Sequence, residues 1–157
     1  MAVYEIKPNP DFSTSFMLYV FPTEVEMRKE ARRRMRMNGC TSHDDDDFAG
    51  MFIPSVYVTN TKHKGKFHSD MFGYMFLAEE TIGVGYVAHE CLHAAMAYER
   101  YRLRFSMDYS DDQKKGTDDH EERLAYYHED CIDKVWKVLV DNRHVKTLKG
   151  STKWLRH

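Results

Sequence analysis

The sequence has few cysteines, and none of them is spaced as a metal-binding or redox pair. Cys40, Cys91 and Cys131 are odd in number and widely separated, and no Cys-x-x-Cys pair is present. The sequence therefore does not indicate a thiolate zinc site or a redox dithiol. A reducing compartment suits such a chain, so we expect a cytoplasmic protein.

The sequence also has no long apolar run and little net charge. Its N-terminal segment does not combine a cationic start with an apolar stretch, and no segment approaches the ~20 apolar residues that span a bilayer. The 23 basic and 25 acidic side chains leave a formal charge of -2, which gives no overall attraction to nucleic acid or to an anionic membrane. We expect a soluble protein with no membrane partner, and composition leaves its function open.

Linkers rich in Pro, Gly or Ser are also lacking, so we expect residues 1–157 to form one domain. Short runs rich in aromatic and β-branched residues predict strands, and longer patterned runs predict helices. The fold class that we expect is α+β, with a small, mostly antiparallel sheet of about three strands packed against a central helix. The strands are predicted at 15–21, 51–58 and 71–78, the helices at 24–37, 82–98 and 118–140, and a turn at 59–66.

The predicted central helix carries the motif His89-Glu90-x-x-His93. Residues four apart on a helix project from the same face, so His89 and His93 can present two imidazole nitrogens to one metal ion. Glu90 lies beside them, where a general base is needed. The motif predicts a Zn²⁺ site that serves metal-assisted hydrolysis.

Chance is the alternative explanation of so short a motif, because the chain is rich in histidine. His89, Glu90 and His93 are the ionisable groups, tyrosine apart, in the otherwise apolar run 82–98. Burying three such groups without partners would cost several kcal/mol, which a bound metal would offset. We therefore favour a metal site over satisfied core histidines.

A catalytic zinc usually has three protein ligands and one open position, so a further ligand is expected downstream. Glu121 and Glu122 open the predicted 118–140 helix, and His120 and His128 follow as further candidates. Glu122 is preferred, because the small Ala125 lies three residues later on the same face and allows close helix packing. The alternative for all four candidates is a solvated charged surface.

The stretch HECLH, followed by EERLAY on a second helix, resembles the gluzincin branch of the zincin metallopeptidases over about residues 71–140. The resemblance implies that Glu122, in the stretch Glu-x-x-Ala, is the third zinc ligand. Many gluzincins have Asp directly after that alanine, where this chain has Tyr126. Asp118 or Asp119 could supply the missing carboxylate.

The resemblance also implies that the strand at 71–78 is an edge strand that holds an extended peptide by strand addition, although an inner strand is an equal alternative. Zincins commonly add a Tyr or His that stabilises the oxyanion, and this role stays unassigned here. The candidates are Tyr98, Tyr126, Tyr127, His120 and His128.

Three further features have simpler explanations. The basic segment 28–36 could recruit nucleic acid or an acidic partner, but we favour a solvated helix face that buries Met27, Ala31 and Met35. The run 44–47 of four aspartates lacks the ligand spacing of a calcium loop and predicts a solvated loop. Cys91 should point away from the two histidines into the core.

The function that the sequence predicts is a zinc metallopeptidase acting on a peptide or protein, with His89, His93 and Glu122 as ligands and Glu90 as general base. Two alternatives share the same residues: a zinc hydrolase of another amide or ester, and a non-enzymatic binding protein on the same framework. A peptidase recruited to nucleic acid through 28–36 is a third. The oligomeric state is left open.

Overall fold

The structure is a computed structural model that describes residues 1–8, 14–37, 48–54, 71–105 and 117–145, the side chains of 100–105 and 117–120 excepted. Four strands and three helices make up this described part. They are β1 (Ala2–Ile6), β2 (Ser15–Phe21), α1 (Glu24–Met37), β3 (Gly50–Pro54), β4 (Met71–Ala78), α2 (Val84–Phe105) and α3 (Thr117–Asp141).

The strands form one mixed sheet in the order β1-β2-β4-β3. The outer pairs β1–β2 and β3–β4 are antiparallel, whereas the central pair β2–β4 is parallel. The α+β class is thus confirmed, and the predicted strands at 15–21 and 71–78 are β2 and β4. The predicted sheet of about three strands lacked β1. Two of the three pairings are antiparallel, as expected of a mostly antiparallel sheet, and the parallel central pair makes the sheet mixed.

The strand at 71–78 is an inner strand, which is the second of its two equal alternatives and excludes the edge-strand role. Its backbone is paired with β2 on one side and with β3 on the other, so no peptide can add to it. Within the described sheet the edge beside α2 is β3 instead. The predicted strand 51–58 corresponds to β3, and its residues 55–58 lie outside the described residues, as do the predicted turn at 59–66 and the loop at 44–47.

The two faces of the sheet are covered by different helices, because side chains alternate along each strand. Leu18 and Met75 face a core shared with α2 and α3, and both are fully buried. Phe21 and Phe76 face a second core that includes Met27 of α1. The result is a sheet between two helical layers, with the His-Glu-x-x-His helix on one side and the basic helix on the other.

Helix α1 occupies the predicted range and begins at the predicted cap. The Thr23 hydroxyl accepts a hydrogen bond from the backbone N–H of Glu26 (3.3 Å), which satisfies a donor that the first turn leaves free. Met27 and Ala31 are fully buried and Met35 is partly buried. The interpretation of this segment as an amphipathic helix is confirmed.

The basic residues of α1 are partly neutralised by glutamates of the same helix. The carboxylate of Glu30 accepts hydrogen bonds from Arg33 (2.7 Å) and Arg34 (3.1 Å). The bond from Arg33 is the main cause that lowers the pKa of Glu30 to about 2. These pairs are typical of a solvated helix surface.

The C-terminal end of α3 is tied to the sheet through His144. Its Nδ1 donates to the carboxylate of Glu79 (2.6 Å), and its Nε2 lies 2.6 Å from the hydroxyl of Tyr4 in β1. Since a carboxylate only accepts, Nδ1 is the donor in the first of these contacts. This connection ties the chain just after α3 to β1 and to Glu79, which follows β4.

Among the described helices none is long and apolar enough to cross a membrane.

We predict that Gly73→Ala destabilises the fold by about 1–3 kcal/mol through overpacking. A Cβ at this position would lie 2.2 Å from Cζ of Phe52 and 3.0 Å from the backbone oxygen of Ile53. The Phe52 ring cannot easily move, because it packs against Phe16 and Phe72 with ring centroids 5.7 and 6.1 Å away. Urea unfolding measures the change.

The matched control for this prediction is Gly85→Ala, because an added Cβ there meets no atom within 4 Å. The same unfolding free energy for wild type and Gly73→Ala would show that β3 and β4 do not approach each other as described.

Candidate metal centre

One stripe of α2 is buried against the sheet and α3. Val87, Cys91 and Ala94 are each no more than 1% exposed, at the spacing of one face of an α-helix. His89 and His93 lie on the opposite face, and both are exposed. The core therefore directs the two imidazoles away from the sheet, and the prediction that Cys91 packs in the core is confirmed.

The exposure of the histidines corrects the expectation that all three ionisable groups of the motif are buried. Only Glu90 is buried, with 5% of its surface exposed. The reason is that α2 is amphipathic, and apolar residues such as Leu92 and Met96, each 38% exposed, also lie on its outer face. The metal site stays a prediction, and its support has to come from the geometry of the histidines and not from their burial.

The two imidazoles converge. The Nε2 atoms of His89 and His93 lie 3.2 Å apart, and the rings meet edge to face with centroids 4.8 Å apart. Two nitrogens held tetrahedrally at 2.0–2.1 Å from one zinc ion would be about 3.3 Å apart. The same separation also permits one ring N–H to donate to the other ring. The separation of the two nitrogens therefore matches that of two ligands on one zinc ion.

The surroundings favour the neutral form of His93. Although His93 lies on the exposed face of α2, partial desolvation of its ring, with a further effect of the neighbouring His89, lowers the pKa of His93. A neutral imidazole is the form that binds a metal ion, because the lone pair must be free.

Glu90 points to the side, between α2 and the edge strand β3. Burial raises the pKa of Glu90, and this effect is opposed by the charge of His89 and by a hydrogen bond from the backbone N–H of Phe52. A carboxylate whose pKa is shifted towards neutrality is suited to accept and return a proton. The structure thus places a buried carboxylate next to the histidine pair.

Gly50 allows β3 to pass this close to Glu90. A Cβ on Gly50 would lie 3.2 Å from Cγ of Glu90 and 3.2 Å from Cδ2 of Leu77. Both distances are tighter than ordinary van der Waals contacts, so the side chain of Glu90 or Leu77 would have to shift by a few tenths of an ångström to admit a Cβ here.

A cleft of about 740 Å³ opens beside His89 and Glu90. This volume is in the range of small-ligand sites. The first turn of α2 contributes Tyr86, which the sequence analysis did not single out. Its position three residues before His89 on the same helix face was the available signal.

The predicted third ligand does not join the histidine pair in the described structure. Glu121 and Glu122 are both exposed on α3. Among the side chains that the structure describes, no three or more His, Cys, Asp or Glu residues lie close enough together to hold one metal ion. Glu122 stays a prediction, and the side chains of His120, Asp118 and Asp119 lie outside the described part.

His128 is the described candidate that contacts the motif helix. Its Nε2 lies 2.9 Å from the backbone oxygen of Ala88, the residue before His89. A carbonyl oxygen only accepts, so Nε2 of His128 donates. This bond holds α3 against the turn of α2 that carries the first histidine.

Two of the residues predicted as candidates to stabilise the oxyanion are packed in the core. Tyr98 and Tyr127 are 2% and 8% exposed and pack edge to face, with ring centroids 4.7 Å apart. Tyr126 is 62% exposed on α3. The oxyanion role therefore stays open to Tyr126, to His128 and to His120, whose side chain lies outside the described part. Tyr86 in the cleft is a further candidate.

Comparisons with protein-family models, with curated proteins and with solved structures found no match for this chain.

We predict that His128→Ala weakens zinc binding by about 10- to 100-fold, the usual effect of removing a group that positions a ligand. His128→Gln should weaken it less, because an amide N–H can still donate to the Ala88 carbonyl. Zinc affinity is measured by competition with a chromophoric chelator.

Glu122→Ala belongs in the same titration, with Glu121→Ala as its matched control. As the predicted third ligand, Glu122 should be needed for tight binding and Glu121 should not. Unchanged affinity in His128→Ala would remove this residue from the site, and unchanged affinity in Glu122→Ala would remove that glutamate from the ligand set.

Proposed function

We propose that this protein is a zinc-dependent metallopeptidase of the zincin-like type. His89 and His93 would hold the metal, Glu90 would act as general base, and Glu122 is the predicted third ligand. The observation that carries the proposal is the convergence of the two Nε2 atoms, 3.2 Å apart, next to a buried carboxylate.

When bound, a zinc ion supplies a Lewis acid that activates water and polarises a carbonyl group. The protein contributes the proton transfers. The Glu90 carboxylate takes a proton from the attacking water and then gives it to the leaving amine of the cleaved peptide. The raised pKa of Glu90 favours the first of these transfers, because a stronger base takes up the proton more readily.

The edge strand β3 supports a peptide as substrate. It runs beside Glu90, and within the described sheet it pairs only with β4. An extended peptide could add to its other edge by main-chain hydrogen bonds, which would bring a backbone carbonyl towards the base. In this proposal β3 takes the role that the sequence assigned to 71–78.

The cytoplasm is the proposed location. Cys91 and Cys131 are both free thiols and fully buried. Burial raises the pKa of Cys131 to about 12, so the thiol form, which does not form disulfides readily, is favoured.

The test of the proposed function is Glu90→Gln. The amide keeps the size of the side chain and can still accept the Phe52 N–H, but it cannot take a proton. We expect the zinc content of the variant to match wild type while hydrolysis of a quenched fluorescent peptide library falls by at least about 10²-fold.

Glu129→Gln, an exposed glutamate of α3, is the control and should behave as wild type. Undiminished hydrolysis by Glu90→Gln would rule out the assigned base. Zinc-loaded wild type that cleaves no member of the library would rule out a peptidase.

A further inference from the structure

The cleft beside the catalytic groups is kept wide by small residues. Ala49, Gly50, Gly83 and Gly85 all line it. Packing explains Gly50, whose added Cβ would press on Glu90 at 3.2 Å. Gly83 precedes α2, and its carbonyl accepts the first helical hydrogen bond, from Val87 (3.0 Å), a capping position at which glycine is common.

Neither packing nor helix capping explains why residue 85 is a glycine. An added Cβ would meet nothing within 4 Å, and the backbone is not in the left-handed region that favours glycine. The residue lies in the first turn of α2, where glycine is less favourable than alanine. What glycine provides here is empty space, one helical turn before His89 and on the same side of the helix.

Two large aromatic side chains are among the residues that line the cleft. They are Phe48 and Tyr86, and Tyr86 is 51% exposed. Aromatic rings of a ligand could pack edge to face or offset-stacked against both. The guanidinium of Arg28 lies 5.9 Å from the centroid of the Phe48 ring and donates to the Phe48 carbonyl at 2.9 Å.

Charges around the cleft disfavour an anionic occupant. Arg28 forms an ion pair with Glu24, and both side chains line the cleft together with Glu90. An incoming carboxylate would approach the carboxylates of Glu24 and Glu90, while the guanidinium of Arg28 is already paired with Glu24. A large neutral side chain does not meet this repulsion.

We propose that this cleft binds a large, neutral, preferably aromatic side chain of the substrate residue next to the scissile bond, and that Gly85 sets the size of the pocket. This inference rests on the proposed function, because it deepens the description of the same site. A larger residue at 85 would fill the cleft and exclude the aromatic side chain.

The test measures binding and not turnover. N-acetylphenylalanine hydroxamate and N-acetylalanine hydroxamate carry the same zinc-binding group and differ in the side chain next to it. Calorimetry on zinc-loaded protein should show that wild type binds the phenylalanine compound at least about tenfold more tightly. Gly85→Phe should lose or reverse this preference.

Gly85→Ala is the matched control, since it adds only a Cβ and improves helix propensity. It should keep the aromatic preference and unfold at no lower temperature than wild type. Equal affinities of wild type for the two compounds, or an aromatic preference unchanged in Gly85→Phe, would overturn the proposal. Tighter binding of the aspartate or lysine hydroxamate would do so as well.

The outcomes separate this inference from the proposed function. Selective binding of the aromatic compound by a protein that cleaves no peptide would sustain the pocket and refute the peptidase. Cleavage of a peptide library without preference for aromatic residues at either side of the cut, read by mass spectrometry, would refute the pocket and sustain the peptidase.

Discussion

The burial of one face of α2 against the sheet is the constraint on which the site depends. Val87, Cys91 and Ala94 must lie inward to complete the core, and the helical repeat then leaves His89 and His93 on the outside. Neither histidine could be buried without exposing part of that core. The core thus fixes the direction of both imidazoles, and their four-residue spacing lets the Nε2 atoms converge.

The same rotation of α2 turns Glu90 towards the edge strand. A buried carboxylate is costly without partners, and the backbone N–H of Phe52 supplies one. Gly50 lets the strand approach closely enough for this contact. The base and the strand proposed to hold the substrate are therefore connected directly, so a change in the position of β3 would change the surroundings of Glu90.

Local signals in the sequence predicted local structure well. The cap at Thr23 gave the start of α1, and the motif on α2 gave the paired histidines. Signals that depend on distant partners were missed: β1 is short, and the parallel pairing of β2 with β4 is decided by the connection through α1. The exposure of His89 depends on which stripe of α2 is buried, and the place of Glu122 depends on how α3 lies along α2. Neither follows from spacing within one helix.

Elemental analysis of protein purified without chelators tests the central claim most directly, when wild type is compared with His89→Ala and with His93→Ala. The converging geometry predicts about one zinc ion per wild-type chain and loss of that ion in either variant, because one imidazole alone cannot replace the pair. Wild-type protein that carries no zinc and takes up none when it is supplied would contradict the account, and the motif would then be a hydrogen-bonded pair of surface histidines.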